Sequence, residues 1–244
     1  VGNNSLKSNT TGADNVAMGR RALCTNTTGA ANTAFGTCSL KANTTASDNT
    51  AVGRHALAAN TTGTRNVAVG KDALLANTTA TDQVAIGHEA LDAATTGSEN
   101  TAVGKSALSA LTEGVQNTAL GGYTLLADTT GSRNVSIGYQ SMIANTTGHG
   151  NVAIGQCALN ANTDQNDSVA IGHCALDANT CPNQTAVGAY ALQLNTTGTN
   201  NVAVGMGSLD ANTTGDNNVA VGGQALGANT TADGNTAVGF QSLD

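Results

Sequence analysis

Asn201–Asn217 reads NVAVGMGSLDANTTGDN, and Asn218 starts the same phrase again. Its opening, "apolar, Ala, apolar, Gly", recurs from Gly2 to Gly239, at steps of 17 residues except for one step of 16 between Gly172 and Gly188. A short fixed period of this kind marks a solenoid, in which each repeat is one coil that buries its apolar side chains against the next. The sequence therefore predicts an all-β, parallel β-solenoid of about fourteen coils, forming a single repeat domain over residues 1–244. Both ends fall inside a repeat, which reads as a segment of a longer fibre.

Numbering each coil from its Asn makes Asn66 place 1 and Gly70 place 5. Place 2 is Val or Thr, place 3 is Ala except at Ser136, and place 4 is large and apolar (Met18, Phe35, Val52, Val69, Ile86). β-branched residues suit a pleated surface, so places 2–4 are expected to form a short strand. Places 2 and 4 share one face and place 3 the other. Met18 to Val69 are then expected to form an inner column, with the Ala column outside. The Gly at place 5, as in Gly19, Gly36, Gly53, Gly70, Gly87 and Gly104, is expected to end the strand in a backbone conformation closed to other residues. Place 9 is Leu except at Met142, and reads as part of a second short strand pointing inward. The Asn-Thr-Thr-Gly stretch that follows suits a tight turn. With coils about 4.8 Å apart, equivalent residues stack. Asn49 and Asn66 at place 1, and Asn43 and Asn60 at place 12, are thus expected to form amide ladders. Stacked coils over this length predict a rod on the order of 70 Å long.

Composition fits a narrow, regular interior. Aromatic residues are 2% of the chain, Trp is absent, and hydrophobic residues make up 39%. Strict register of those residues argues against disorder. The net charge is −7 with only 10% charged residues, and no basic patch stands out that could follow phosphates, which argues against nucleic acid. No apolar run approaches the length of a membrane span, so no membrane insertion is expected.

The NVAVG and NTAVG phrases, followed by a small residue, Leu and a Thr-Gly turn, resemble the head repeats of YadA-type trimeric autotransporter adhesins. Similar repeats occur in phage tail fibres and large surface fibres. The resemblance covers the whole chain on about five fixed places per coil, although the YadA-type repeat is shorter. It implies a left-handed β-roll, a homo-oligomer (a trimer), and adhesion to a host or matrix surface component or glycan. The invariant Ala at place 3 would then serve close packing between chains. A partial likeness, Val-Gly-x-x-Ala-Leu at Val52–Leu57, is shared with hexapeptide acyltransferases, which repeat that motif three times per coil rather than once.

No catalytic, cofactor or metal constellation assembles from places that would meet in space. His55, His88, His149 and His173 lie on distant coils. Acidic residues recur at place 17 (Asp14, Asp48, Asp82, Glu99) without the spacing of calcium-binding rolls. Cys157 and Cys174 share place 7 of successive coils, within disulfide reach, yet in-register strands orient both side chains alike. The Asn-Thr-Thr triplets, such as Asn26 and Asn60, match the N-glycosylation pattern, and also the turn chemistry. Three functions are open on this basis: a structural and adhesive rod segment of an extracellular fibre or adhesin, using variable places 6, 7, 10, 16 and 17; an ice-binding solenoid using Thr and Asn columns; and an enzyme on a β-helix, which the bare chemistry disfavours.

Overall fold

Val, Ala and a second branched residue before an obligatory Gly give each coil one three-residue strand, and nothing longer. The computed structural model describes residues 1–244 and contains fourteen such strands, with no helix. The chain divides into two units, Val1–Gly122 and Tyr123–Asp244. The first holds β1 (Val16–Met18) to β7 (Thr118–Leu120), and the second β8 (Val135–Ile137) to β14 (Thr236–Val238). Within each unit successive strands pair parallel and in register: Val16 lies beside Thr33 and Ala17 beside Ala34, as Val152 lies beside Val169 and Ala153 beside Ala170. Each unit is a β-solenoid.

Two expectations about the coil are corrected. The first concerns which way the strand faces. Ala17, Ala34, Ala51 and Ala68 are buried, whereas Val16 is 50% and Met18 47% exposed. The small residue points in and the large ones point out. The reason is the thinness of the coil. In the one coil with Ser at place 3, the Ser136 hydroxyl bonds directly to the hydroxyl and carbonyl of Ser141 at place 8. Place 3 therefore meets place 8 across the interior, and only Ala, Ser or Thr fits between the walls. The Met18–Val69 column lies outside the core, and the Ala51 column cannot be an interface between chains.

The second correction concerns the second strand, which is absent. Places 7 and 9 adopt left-handed backbone: His55 has φ 59° and Leu57 φ 51°, Asp72 58° and Leu74 49°. Backbone bonds still run from coil to coil through this segment, as from Leu57 N to Ala73 O (3.0 Å) and from His55 N to Thr37 O (3.0 Å). A left-handed L-residue costs about 1–2 kcal/mol. The Leu at place 9 is fully buried, and that burial contributes about 1.5–3 kcal/mol. The Leu side chain fills the space its own unusual backbone creates.

The 16-residue step is absorbed outside the strand. Val169 pairs with Thr185 in unbroken register. The shortened turn closes by a bond from Asn179 Nδ2 to Cys181 O (2.6 Å), where full-length coils bond three residues on, as Asn60 Nδ2 does to Gly63 O (2.9 Å).

Candidate functional site

The glycine column is a close approach of backbones. Gly19, Gly36, Gly53, Gly70, Gly87 and Gly104 have φ between 133° and 141°, a region open to Gly alone. A Cβ at Gly19 would lie 2.5 Å from the carbonyl oxygen of Gly36. No side chain can enter this column.

Two asparagine columns brace the interior, and they do so differently. At place 12 amide bonds to amide: Asn60 Nδ2 donates to Asn43 Oδ1 (3.0 Å) and Asn43 Nδ2 to Asn26 Oδ1 (2.8 Å). At place 1 the amide oxygen also accepts backbone, from Asn66 N to Asn49 Oδ1 (3.0 Å), while Asn49 Nδ2 donates to Asn32 Oδ1 (3.2 Å) and crosses to Gly63 O (2.9 Å). The place-15 carbonyl thus accepts from both columns and ties strand to turn. All four residues are fully buried, so their hydrogen bonds are made in low dielectric, where leaving one unmade would cost most. The same geometry closes the Asn-Thr-Thr triplets to glycosylation in the folded coil. Asn26 Nδ2, the atom a glycan would need, is buried and bonded to both Asn9 Oδ1 and Gly29 O.

Cys157 and Cys174 stand on successive coils as free thiols, as do the other three cysteines; no disulfide joins them. Burial pushes the Cys174 thiol up, helped by Asp177 and by Cys157 itself. The four histidines are dispersed. His55 Nδ1 lies 3.1 Å from Asp72 Oδ1. His149 Nδ1 accepts from Ser132 N (3.0 Å), and His173 packs edge-on against Tyr190 with ring centres 5.2 Å apart. No three His, Cys, Asp or Glu side chains converge on a point that could hold a metal ion. At Asp72, burial acts upward on the carboxyl, but the bonds from Lys71 and His55 prevail and hold it below its ordinary value.

Three features escaped the sequence reading. Asp128 occupies place 12 of the buried amide ladder. Burial pushes its carboxyl up to about 7, against bonds from Gly131 N and the side chains of Asn145 and Asn134. Its Oδ2 has no hydrogen-bond partner. The place-12 column could have singled it out: Ala94, Leu111 and Asp128 are its three departures from Asn. Place 16 recurrently supplies an acceptor to the preceding coil's backbone: Ser98 Oγ to Thr81 N (3.1 Å), Asp216 Oδ1 to Thr199 N (2.6 Å). The third is charge. Residues 1–71 hold seven Lys and Arg against two Asp, a net of +5 inside a chain of net −7. A running tally of charge would have found it.

Compared with known proteins, the chain matches no protein-family model, and no curated protein matches its sequence.

Proposed function

We propose that the chain is a structural and adhesive segment of an extracellular fibre or adhesin, at a cell surface or on a virion, working as a homo-oligomer with a trimer as the expected state and without catalysis. The observation that carries this reading is the outward face of the strands. Val16, Met18, Val52, Ile86 and Leu120 stand exposed in the first unit, and Ile171, Val204, Val221 and Val238 in the second. Together with the Thr and Val of place 2 they make a flat, repetitive, largely apolar face in each unit. Contiguous exposed apolar surface of this kind marks interaction sites, and in-register flat strands pack dry against one another. This face replaces the Ala column as the surface through which chains would associate.

Molar mass by light scattering coupled to size exclusion tests it. A mass near three times 24.0 kDa, falling to one chain in Val52→Lys/Ile86→Lys, is the expected result. A monomeric wild-type chain would overturn the oligomer.

One observation favours a second reading, ice binding. Thr27, Thr61 and Thr78 at place 13 each donate Oγ1 to the carbonyl of the next Thr in the column, at 3.0, 3.0 and 3.3 Å, which fixes a rank of hydroxyls at the coil spacing. Thermal hysteresis that disappears in Thr61→Lys/Thr78→Lys would move the assignment to ice; its absence in the wild type removes this reading.

A further inference from the structure

The excess cations of residues 1–71 are arranged. Lys7 is at place 10 of the first coil, Arg20 and Arg21 at places 6 and 7 of the second, Lys41 at place 10 of the third, and Arg54 at place 6 of the fourth. Each of four consecutive coils thus offers a cation, on alternating sides of one face, at steps of about 4.8 Å along the axis. Two adjoining cavities run along this face. The first, about 420 Å³, is polar and lined by Lys7, Arg20, Arg21, Asn3, Asn4 and Thr25. The next, about 510 Å³, has an apolar floor of Ala42, Ala58 and Ala59 beneath Lys41 and His55. They share a wall: Cys38 N bonds to Arg20 O (2.9 Å), and Thr25 Oγ1 to Lys41 O (2.6 Å).

None of these five cations is paired. Ion pairs elsewhere join Arg65 to Asp82, Lys71 and His55 to Asp72, and His88 to Glu89. Asp14 and Asp48 stand at place 17, before the strand, and line neither cavity; the nearest acid to the groove is Asp72, one coil beyond Arg54, where His55 and Lys71 bond its carboxylate. Unpaired like charges held side by side repel one another, and an anion that bridges them relieves that repulsion.

We infer that this groove binds a linear acidic polysaccharide, a chain of uronate or sulfated sugar units. A ribbon-like glycan turns over at each sugar, which throws successive acidic groups to alternate sides. The alternation of place 10 and place 6 cations from coil to coil receives that pattern. The Ala floor offers a flat apolar surface to sugar ring faces, and the guanidinium forks of Arg20 and Arg21 suit carboxylate and sulfate. Single-stranded nucleic acid is the poorer fit, because it needs aromatic platforms for its bases. The only Phe, Tyr or Trp before Tyr123 is Phe35, at place 4 and off this face, which leaves the single imidazole of His55 in the groove.

The inference rests on the adhesive reading for its setting, yet the two fail separately, since the mass measurement above does not involve these residues. The test is titration of the full chain with an oligomannuronate and with a heparin-derived oligosaccharide, using a neutral cello-oligosaccharide and single-stranded DNA of equal length for comparison. The acidic glycans should bind, with a log–log salt slope of about −3 for the four charges that line the cavities, Lys7, Arg20, Arg21 and Lys41, and the neutral one should not. Arg20→Glu/Arg21→Glu/Lys41→Glu, the change of three cations that line the cavities, should lose at least about tenfold in affinity by the same electrostatic argument. Lys7→Gln should weaken binding less, and Arg133→Glu, in the other unit, should leave it unchanged. Circular dichroism of each variant checks the fold. Failure of both acidic glycans to bind, or unchanged affinity in the triple variant, would overturn the site. DNA binding as tight as glycan binding would overturn the ligand class.

Discussion

Thr124 Oγ1 donates to Ser136 Oγ across 2.7 Å, from the turn wall of one coil to the strand wall of the next. Ser136 also bonds Ser141, so three buried hydroxyls replace the Ala-to-Ala contact made elsewhere. Removing Ser136 breaks its own bonds, while Thr124 and Ser141 still bond each other (3.0 Å) and the carbonyls of Ser141 and Gly138. Ser136→Ala should cost about 1 kcal/mol, whereas the triple change Thr124→Ala/Ser136→Ala/Ser141→Ala should return close to wild type. Urea unfolding of the single and triple variants measures both; additive losses would mean that the cluster does not act as a unit.

Asp128 gives the second unit a pH dependence. Its folded carboxyl titrates near 7, above the ordinary 3.8, with burial as the main cause. The sign follows from linkage: the neutral form suits the fold, so the full stability is present below about pH 4 and is lost as pH rises toward 7. At about 1.4 kcal/mol per unit, the loss at pH 8 is on the order of a few kcal/mol. Asp128→Asn, which places an amide before Asn145 at the start of the second unit's ladder, should raise Tm at pH 8 and change it little at pH 4. Equal gains at both pH values would contradict the assignment.

The left-handed positions predict mutations of opposite sign. Leu57 is fully buried, so Leu57→Ala loses the side chain that fills the coil and should cost about 2–5 kcal/mol. Ala31 is exposed with φ 54°, and gains nothing from its side chain to offset the strain. Ala31→Gly should stabilise by about 0.5–1 kcal/mol, the strain relieved less the added chain entropy of Gly. Thermal unfolding of the two variants decides it.

Gly70→Ala should be among the most disruptive small changes in the first unit. Its φ is 141°, and the added methyl would run into the carbonyl of Gly87. Backbone cannot step aside without parting two coils. Hydrogen exchange should show amides around Gly70 and Gly87 losing protection, while distant coils keep theirs, because repeats are held by nearest neighbours.

Much of the fold was legible because each coil repeats the same argument. The period fixed the stacking, and the position of Gly before two variable places marked the end of the strand. The orientation of the strand was not legible, since alternation alone divides places 2 and 4 from place 3 without saying which side is inside. Size usually decides that, and here it misleads: the interior is too thin for Val or Met beside Leu57. Left-handed backbone at Leu57 and Leu74 was equally hidden, as Leu rarely adopts it. One clue was present at place 17. Asp14, Asp48 and Asp82 recur there because Asp tolerates φ near 60°, a conformational cause for a pattern that resembles a ligand set. The cationic groove was missed because its members are spread over successive coils, and stand out only once coils are laid side by side.

The coil that is one residue short has a wider consequence. Strand and glycine keep their alignment across it, while the turn from Asn179 to Gln184 shrinks to suit. The strand half therefore behaves as a reading frame and the turn half as its punctuation. Such a chain can accept lengthened or shortened turns anywhere along it, and can gain or lose whole coils by duplication, without any coil having to relearn its neighbours. What it cannot accept is an insertion between place 1 and place 5, which would throw every contact of that coil out of phase with both sides.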